Sequence, residues 1–140
     1  MKEQLEMPST VVASAVQGQE MPQNLALTIA QAADERKGED IVILKIGDIS
    51  YLTDYFVIVT GFSKAQLRAI SQSVEEKMQS LWQRLPIRTE GKTNGSWILQ
   101  DYGEVIVHIM LPEDRDFYDL EAFWGHAERV EFQASQTLGD

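Results

Sequence analysis

The sequence predicts an α/β domain, a small mixed β-sheet flanked by helices, and three observations carry that expectation. Residues 41–46 and 55–60 are almost continuously apolar runs of strand length, the pattern of strands covered on both faces. Downstream of Ser63, apolar side chains recur every three or four positions, the period of a helix that packs on a sheet. Residues 97–100 and 105–110 form two more strand-like runs around the turn Asp101, Tyr102, Gly103, Glu104. A helical crossover delivers a parallel neighbour and a hairpin an antiparallel one, so a chain with both needs a mixed sheet.

Taken in order, residues 1–23 mix Ser, Gln, Glu and Pro without a sustained period and are expected to be a flexible tail. The folded domain is expected over residues 24–132, with a flexible end at 133–140. Asn24 is placed to cap a helix in which Leu25, Ile29 and Ala33 share a face, and Gly38 ends it after Arg36 and Lys37. The first strand follows at 41–46, Gly47 and Asp48 turn the chain, and the second strand runs into Gly61. Ser63 caps the long helix, whose buried stripe is Leu67, Ile70, Val74, Met78 and Leu81, and Pro86 closes it. A short extended piece reaches Arg88, and residues 91–95 form a polar loop. After the hairpin, residues 112–116 are expected as loop and residues 118–126 as a short helix.

A chain of 140 residues, 44% of them hydrophobic, has material for one core and too little for two. Its 22 acidic against 12 basic side chains give a net charge of −10, which repels phosphate backbones and anionic lipid, so little direct nucleic-acid or membrane binding is expected. Without cysteine there is neither disulfide nor thiolate chemistry. The apolar runs are far shorter than the ~20 residues of a spanning helix, and the first residues lack the pattern of a signal peptide, so a cytoplasmic location is expected.

The charge is local. Residues 25–100 hold nine acids and nine bases, whereas residues 101–140 hold ten acids against Arg115 and Arg129 and so carry −8 of the total. One account is a solvated acidic face that keeps the protein soluble. The other is a docking face, because Trp97, Tyr102, Tyr118 and Trp124 are interleaved with Asp101, Glu104, Asp116, Asp119 and Glu121. Such a surface buries apolar area while its carboxylates select a basic partner.

Catalytic signals are weak by comparison. His108 lies in a strand with Ile106 and Met110 on its face, as a satisfied histidine would, and His126 ends a short helix where its ring complements the dipole. Two histidines so far apart have no metal spacing. Thr60, Gly61, Phe62 and Ser63 lead from strand to helix, the geometry that receives a phosphate, yet no Walker lysine pattern and no GxGxxG accompany them. A glycine before a serine cap is also what a tight turn uses for steric reasons. Asp101 and Glu104 suggest an Mg²⁺ pair, or an ordinary hairpin turn. No catalytic residue, metal or cofactor is assigned.

Several motifs in one order point to a family. TDYFVIVTG at residues 53–61, then Ser63, Gln66 and Ala69-Ile70, then Trp97 with DYGEVIVH and RDFYDLEAFW, resemble the ribosomal silencing factor family, also called Iojap. The resemblance spans about residues 25–126. It implies a fold similar to a nucleotidyltransferase domain without the catalytic carboxylates. It also implies binding to the large ribosomal subunit through its fourteenth protein, on the face that meets the small subunit. Subunit joining would be blocked and translation slowed when nutrients are short. Carried onto this chain, the contact positions are Trp97, Asp101, Tyr102, Tyr118, Leu120, Glu121 and Trp124. Two alternatives stand beside it: a nucleotidyltransferase-like nucleotide-binding enzyme, and a homodimeric interaction module that buries the same aromatics across a two-fold axis.

Overall fold

The computed structural model describes residues 21–135. Helix α1 covers Met21–Glu35 and buries Leu25, Ile29, Ala26, Ala30 and Ala33 against the sheet, where alanines permit close approach. It begins three residues before the expected cap. Pro22 sits in its first turn, where a missing N–H costs nothing, and Asn24 lies within the helix instead of capping its start, its carbonyl accepting the Thr28 hydroxyl at 2.9 Å. Strand β1 is Glu39–Lys45 and strand β2 is Tyr55–Thr60; they pair antiparallel, with an irregularity between Glu39 and Val42 where Asp40 takes a φ of 49°.

Helix α2, Lys64–Trp82, is capped by Ser63 as the sequence predicts. Leu67, Ile70, Val74 and Met78 are fully buried, but Leu81 is exposed, because the helix ends one residue later. Its end is set by Gln83 in the left-handed conformation, not by Pro86. Strand β3 (Arg88–Glu90) leads to the hairpin β4 (Trp97–Asp101) and β5 (Val105–Met110), and β5 runs parallel to β2, from Tyr55 opposite Val105 to Thr60 opposite Met110.

Beyond β5 the sequence expectation gives way. Residues 112–116 are not a loop but the start of helix α3, Pro112–Tyr118, which has Pro at its N-terminus and Glu113 and Asp114 in its first turn, favourable against the helix dipole. The helix expected at 118–126 is a four-residue turn, α4, Leu120–Phe123, separated from α3 by Asp119 at φ 45°. A sixth strand, β6 (Glu128–Val130), pairs antiparallel with β1. The sheet is thus mixed, in the order β3-β4-β5-β2-β1-β6.

Side chains alternate across the sheet, and its two faces differ. On the inner face Ile43, Tyr55, Val57, Val59, Ile98, Val105, Val107 and Ile109 meet α1 and α2 in the main core. On the outer face Leu44, Phe56, Ile58, Ile106 and Met110 form a smaller buried core beneath Trp97, Leu99, Leu120 and Trp124, which are themselves partly exposed.

Candidate docking surface

The outer face owes its shape to strand alternation plus two short helices. Trp97 and Leu99 leave β4 on this side, and neither is fully buried. The Trp97 indole N–H donates to Nδ1 of His108 at 3.1 Å, and the same indole lies 4.8 Å from the Tyr118 ring, centroid to centroid. His108 meets Phe56 edge-on at 4.6 Å, and Phe56 meets Trp124 edge-on at 5.7 Å. Phe117 extends the row beyond Tyr118, and Phe123 beyond Trp124. The rings therefore form a continuous line, Phe117, Tyr118, Trp97, His108, Phe56, Trp124, Phe123. Its middle is buried, with His108 at 5% exposure, while the ends stand in solvent, Phe117 at 79% and Phe123 at 76%.

This line contains Trp97, Tyr118 and Trp124 of the sequence-selected positions, and Leu120 packs beside it, half-buried. Asp101 caps the hairpin turn by accepting the Gly103 N–H at 2.8 Å and lies 3.6 Å from Arg88. Tyr102 does not belong to the surface. It is 1% exposed and its ring fills the inner core, because it follows Asp101 by one position and alternation sends it through the sheet. Burial pushes its phenol well above the ordinary value.

Glu121 has a partner within the chain. Arg115, itself buried, donates to Glu121 through Nε at 3.1 Å and Nη2 at 2.8 Å, and to the Thr60 hydroxyl through Nη1 at 2.8 Å. These hydrogen bonds hold the Glu121 carboxyl below the usual range. The fork ties α4 and α3 to the end of β2, so Glu121 shapes the surface from beneath. His108, Phe56 and Arg115 escaped selection from sequence: His108 reads as a core histidine and Phe56 as part of an apolar strand, and nothing in the sequence shows that Arg115 is buried on α3. The exposed ends, Phe117 and Phe123, were visible as aromatics but not as solvent-facing.

Features that suggested chemistry have structural partners. Glu104 pairs with Arg84, and Asp101 with Gly103 and Arg88, so the two carboxylates do not share a site. Among the described residues no group of three or more His, Cys, Asp or Glu side chains is arranged to hold a metal. The Ser63 hydroxyl accepts the Gln66 N–H at 3.0 Å, and the Gln66 side chain accepts the Phe62 N–H at 2.8 Å, so the turn's own side chains occupy donors that an anion would use. A Cβ on Gly61 would stand 2.5 Å from Leu67, which gives that glycine a packing reason. No described helix is long and apolar enough to cross a membrane.

Comparison with known proteins agrees with the geometry. A family model described as ribosomal silencing factor during starvation matches residues 19–139. A protein named ribosomal silencing factor from Chromobacterium violaceum is 36% identical over 103 residues, 74% of this chain and 84% of that one. The chloroplastic protein Iojap of Zea mays is 39% identical over 109 residues, 77% of this chain but 46% of its own length. A crystal structure of a Chromobacterium violaceum protein superimposes with a TM-score of 0.71 at 33% identity, covering 83% of this chain and 97% of that chain. With a match running through nearly the whole sequence and the same fold in a solved relative, the chain belongs to the ribosomal silencing factor family.

Proposed function

We propose that this protein represses translation by docking its outer sheet face on the large ribosomal subunit, at the subunit's fourteenth protein, where it blocks the approach of the small subunit. One observation carries this reading: the line of seven rings on the outer side of the sheet, buried at its middle and open to solvent at its ends, beside the segment that holds most of the negative charge. Aromatic anchors with buried bases and open ends supply affinity at low entropic cost, and a rim including Asp116 and Asp119 favours a basic protein over RNA. Trp97 and Trp124 are the anchors, with Tyr118, Leu120 and Asp101 around them. Glu121 acts by placing α4. The mode of action is occlusion in the cytoplasm, with no turnover and no cofactor, so potency follows occupancy.

Sedimentation of the protein with isolated large and small subunits tests this directly. It should travel with the large subunit alone and lower the yield of joined ribosomes. Trp97→Ala and Trp124→Ala should each weaken binding by roughly 2–4 kcal/mol while leaving the inner core intact. Full retention of both folded variants on the large subunit would move the interface elsewhere.

A further inference from the structure

His108 is the odd member of the ring line. It is 5% exposed, and its Nε2 is buried without a hydrogen-bond partner. Its Nδ1 accepts the Trp97 indole N–H, so the ring is neutral and its proton sits on Nε2. A phenylalanine would fill the same space against Phe56 and would leave no polar atom unpaired. What the imidazole supplies and a phenyl ring does not is an acceptor, and its user is the indole of Trp97. That indole is half-buried, packed on the outer core and in ring contact with Tyr118 at 4.8 Å and with His108 at 5.8 Å. The acceptor adds a directional contact that packing alone does not supply.

We infer that His108 is a positioning residue of the docking face, fixing the indole of Trp97 at one angle before any partner arrives. This rests on the docking role of the face proposed above. A side chain ordered in advance does not have to be ordered on binding, and the acceptor keeps the indole N–H satisfied while the ring packs. The unpaired Nε2 is a cost to the fold that this placement offsets. Phe56 completes the arrangement by touching both His108 and Trp124, so one buried pair underlies both anchors.

The test begins with the unaltered protein. Long-range ¹H–¹⁵N NMR should show an unprotonated Nδ1 and a protonated Nε2 on His108, and the Trp97 indole N–H should exchange slowly with solvent. A proton on Nδ1 would overturn the inference. His108→Phe should fold, move the Trp97 indole resonance, speed its exchange and weaken large-subunit binding about three- to tenfold, the range for one hydrogen bond and one immobilised side chain. His108→Asn, whose Oδ1 reaches the place of Nδ1, should restore the resonance and most of the affinity. In a Trp97→Phe background neither change should alter binding further. If His108→Phe binds fully while Trp97→Ala does not, His108 has no positioning role and the docking face stands. If Trp97→Ala also binds fully, Trp97 is not an anchor and the inference falls with it; if Trp124→Ala binds fully as well, the docking face itself is wrong.

Discussion

His108 enters the fold as a neutral ring, and the pH dependence of stability follows from that. Unfolded, it takes up a proton near 6.5; folded, burial pushes this down to about 4. Between those values the unfolded chain binds more protons than the native one, so stability falls as pH is lowered through the window, by about 3 kcal/mol at full extent. Other ionisable side chains on this face include Asp101, Asp116, Tyr118, Asp119, Arg129 and the Arg115–Glu121 fork. Glu121 has a lowered value, and its contribution is present above the ordinary carboxylate range and lost only as pH falls below it. Urea midpoints should therefore drop from pH 6.5 to 4.5 in the native protein and stay flat over that range in His108→Phe; an equal slope in both would place the titration elsewhere. A second residue-scale prediction concerns the fork. Glu121→Gln leaves the Arg115 guanidinium buried with a weaker partner, and should cost on the order of 2–3 kcal/mol, below the range for a fully buried pair because the Glu121 side chain keeps 22% exposure. Calorimetric melting checks it; an unchanged Tm would show that Thr60 alone suffices for Arg115.

Elements with a strong period were legible in the sequence, and those defined by a single backbone conformation were not. Strands β2 and β5 are buried along their whole length and read as unbroken apolar runs, and α2 announced itself by Ser63 and a stripe from Leu67 to Met78. In contrast, the break at Asp119 depends on one left-handed residue, and aspartate adopts that conformation without leaving a compositional mark. Strand β6 is three residues long, with two exposed and charged, so it shows neither run nor alternation. The same distinction applies to the surface: Trp97 and Trp124, chosen as contact positions, are partly exposed, while Tyr102 is buried, because its side of the sheet depends on where the hairpin turn begins. Gln66 was noted only as a family position. Its amide donates to the Arg36 and Lys37 carbonyls at 3.1 Å while its oxygen accepts the Phe62 N–H, so one side chain ties the end of α1 to the start of α2. Gln66→Ala should cost about 1–2 kcal/mol, more than an exposed surface substitution, by denaturant melting. A loss within ±0.5 kcal/mol would mean that water replaces these bonds freely.

At the scale of the whole molecule, two asymmetries coincide. The inner face is closed by two long helices, whereas the outer face has two short ones, and that side, where Phe117, Tyr118 and Phe123 stand exposed, carries the acidic segment. Apolar contacts act only at touching distance, but charge acts across roughly a Debye length, about 10 Å at 0.1 M salt. The acidic segment should therefore govern the approach of a basic partner and the rings its departure. Raising salt from about 50 to about 500 mM should slow association with the large subunit by about tenfold or more and change dissociation much less. Neutralising the exposed rim in Glu113→Gln plus Asp116→Asn should lower the association rate at low salt and have little effect at high salt, whereas Trp124→Ala should raise the dissociation rate at both. Stopped-flow or surface-binding kinetics separates the two rates. An association rate indifferent to salt, or one that rises with it, would mean that the partner presents no positive field to this face, and the acidic segment would then be a solubilising surface beside the docking site.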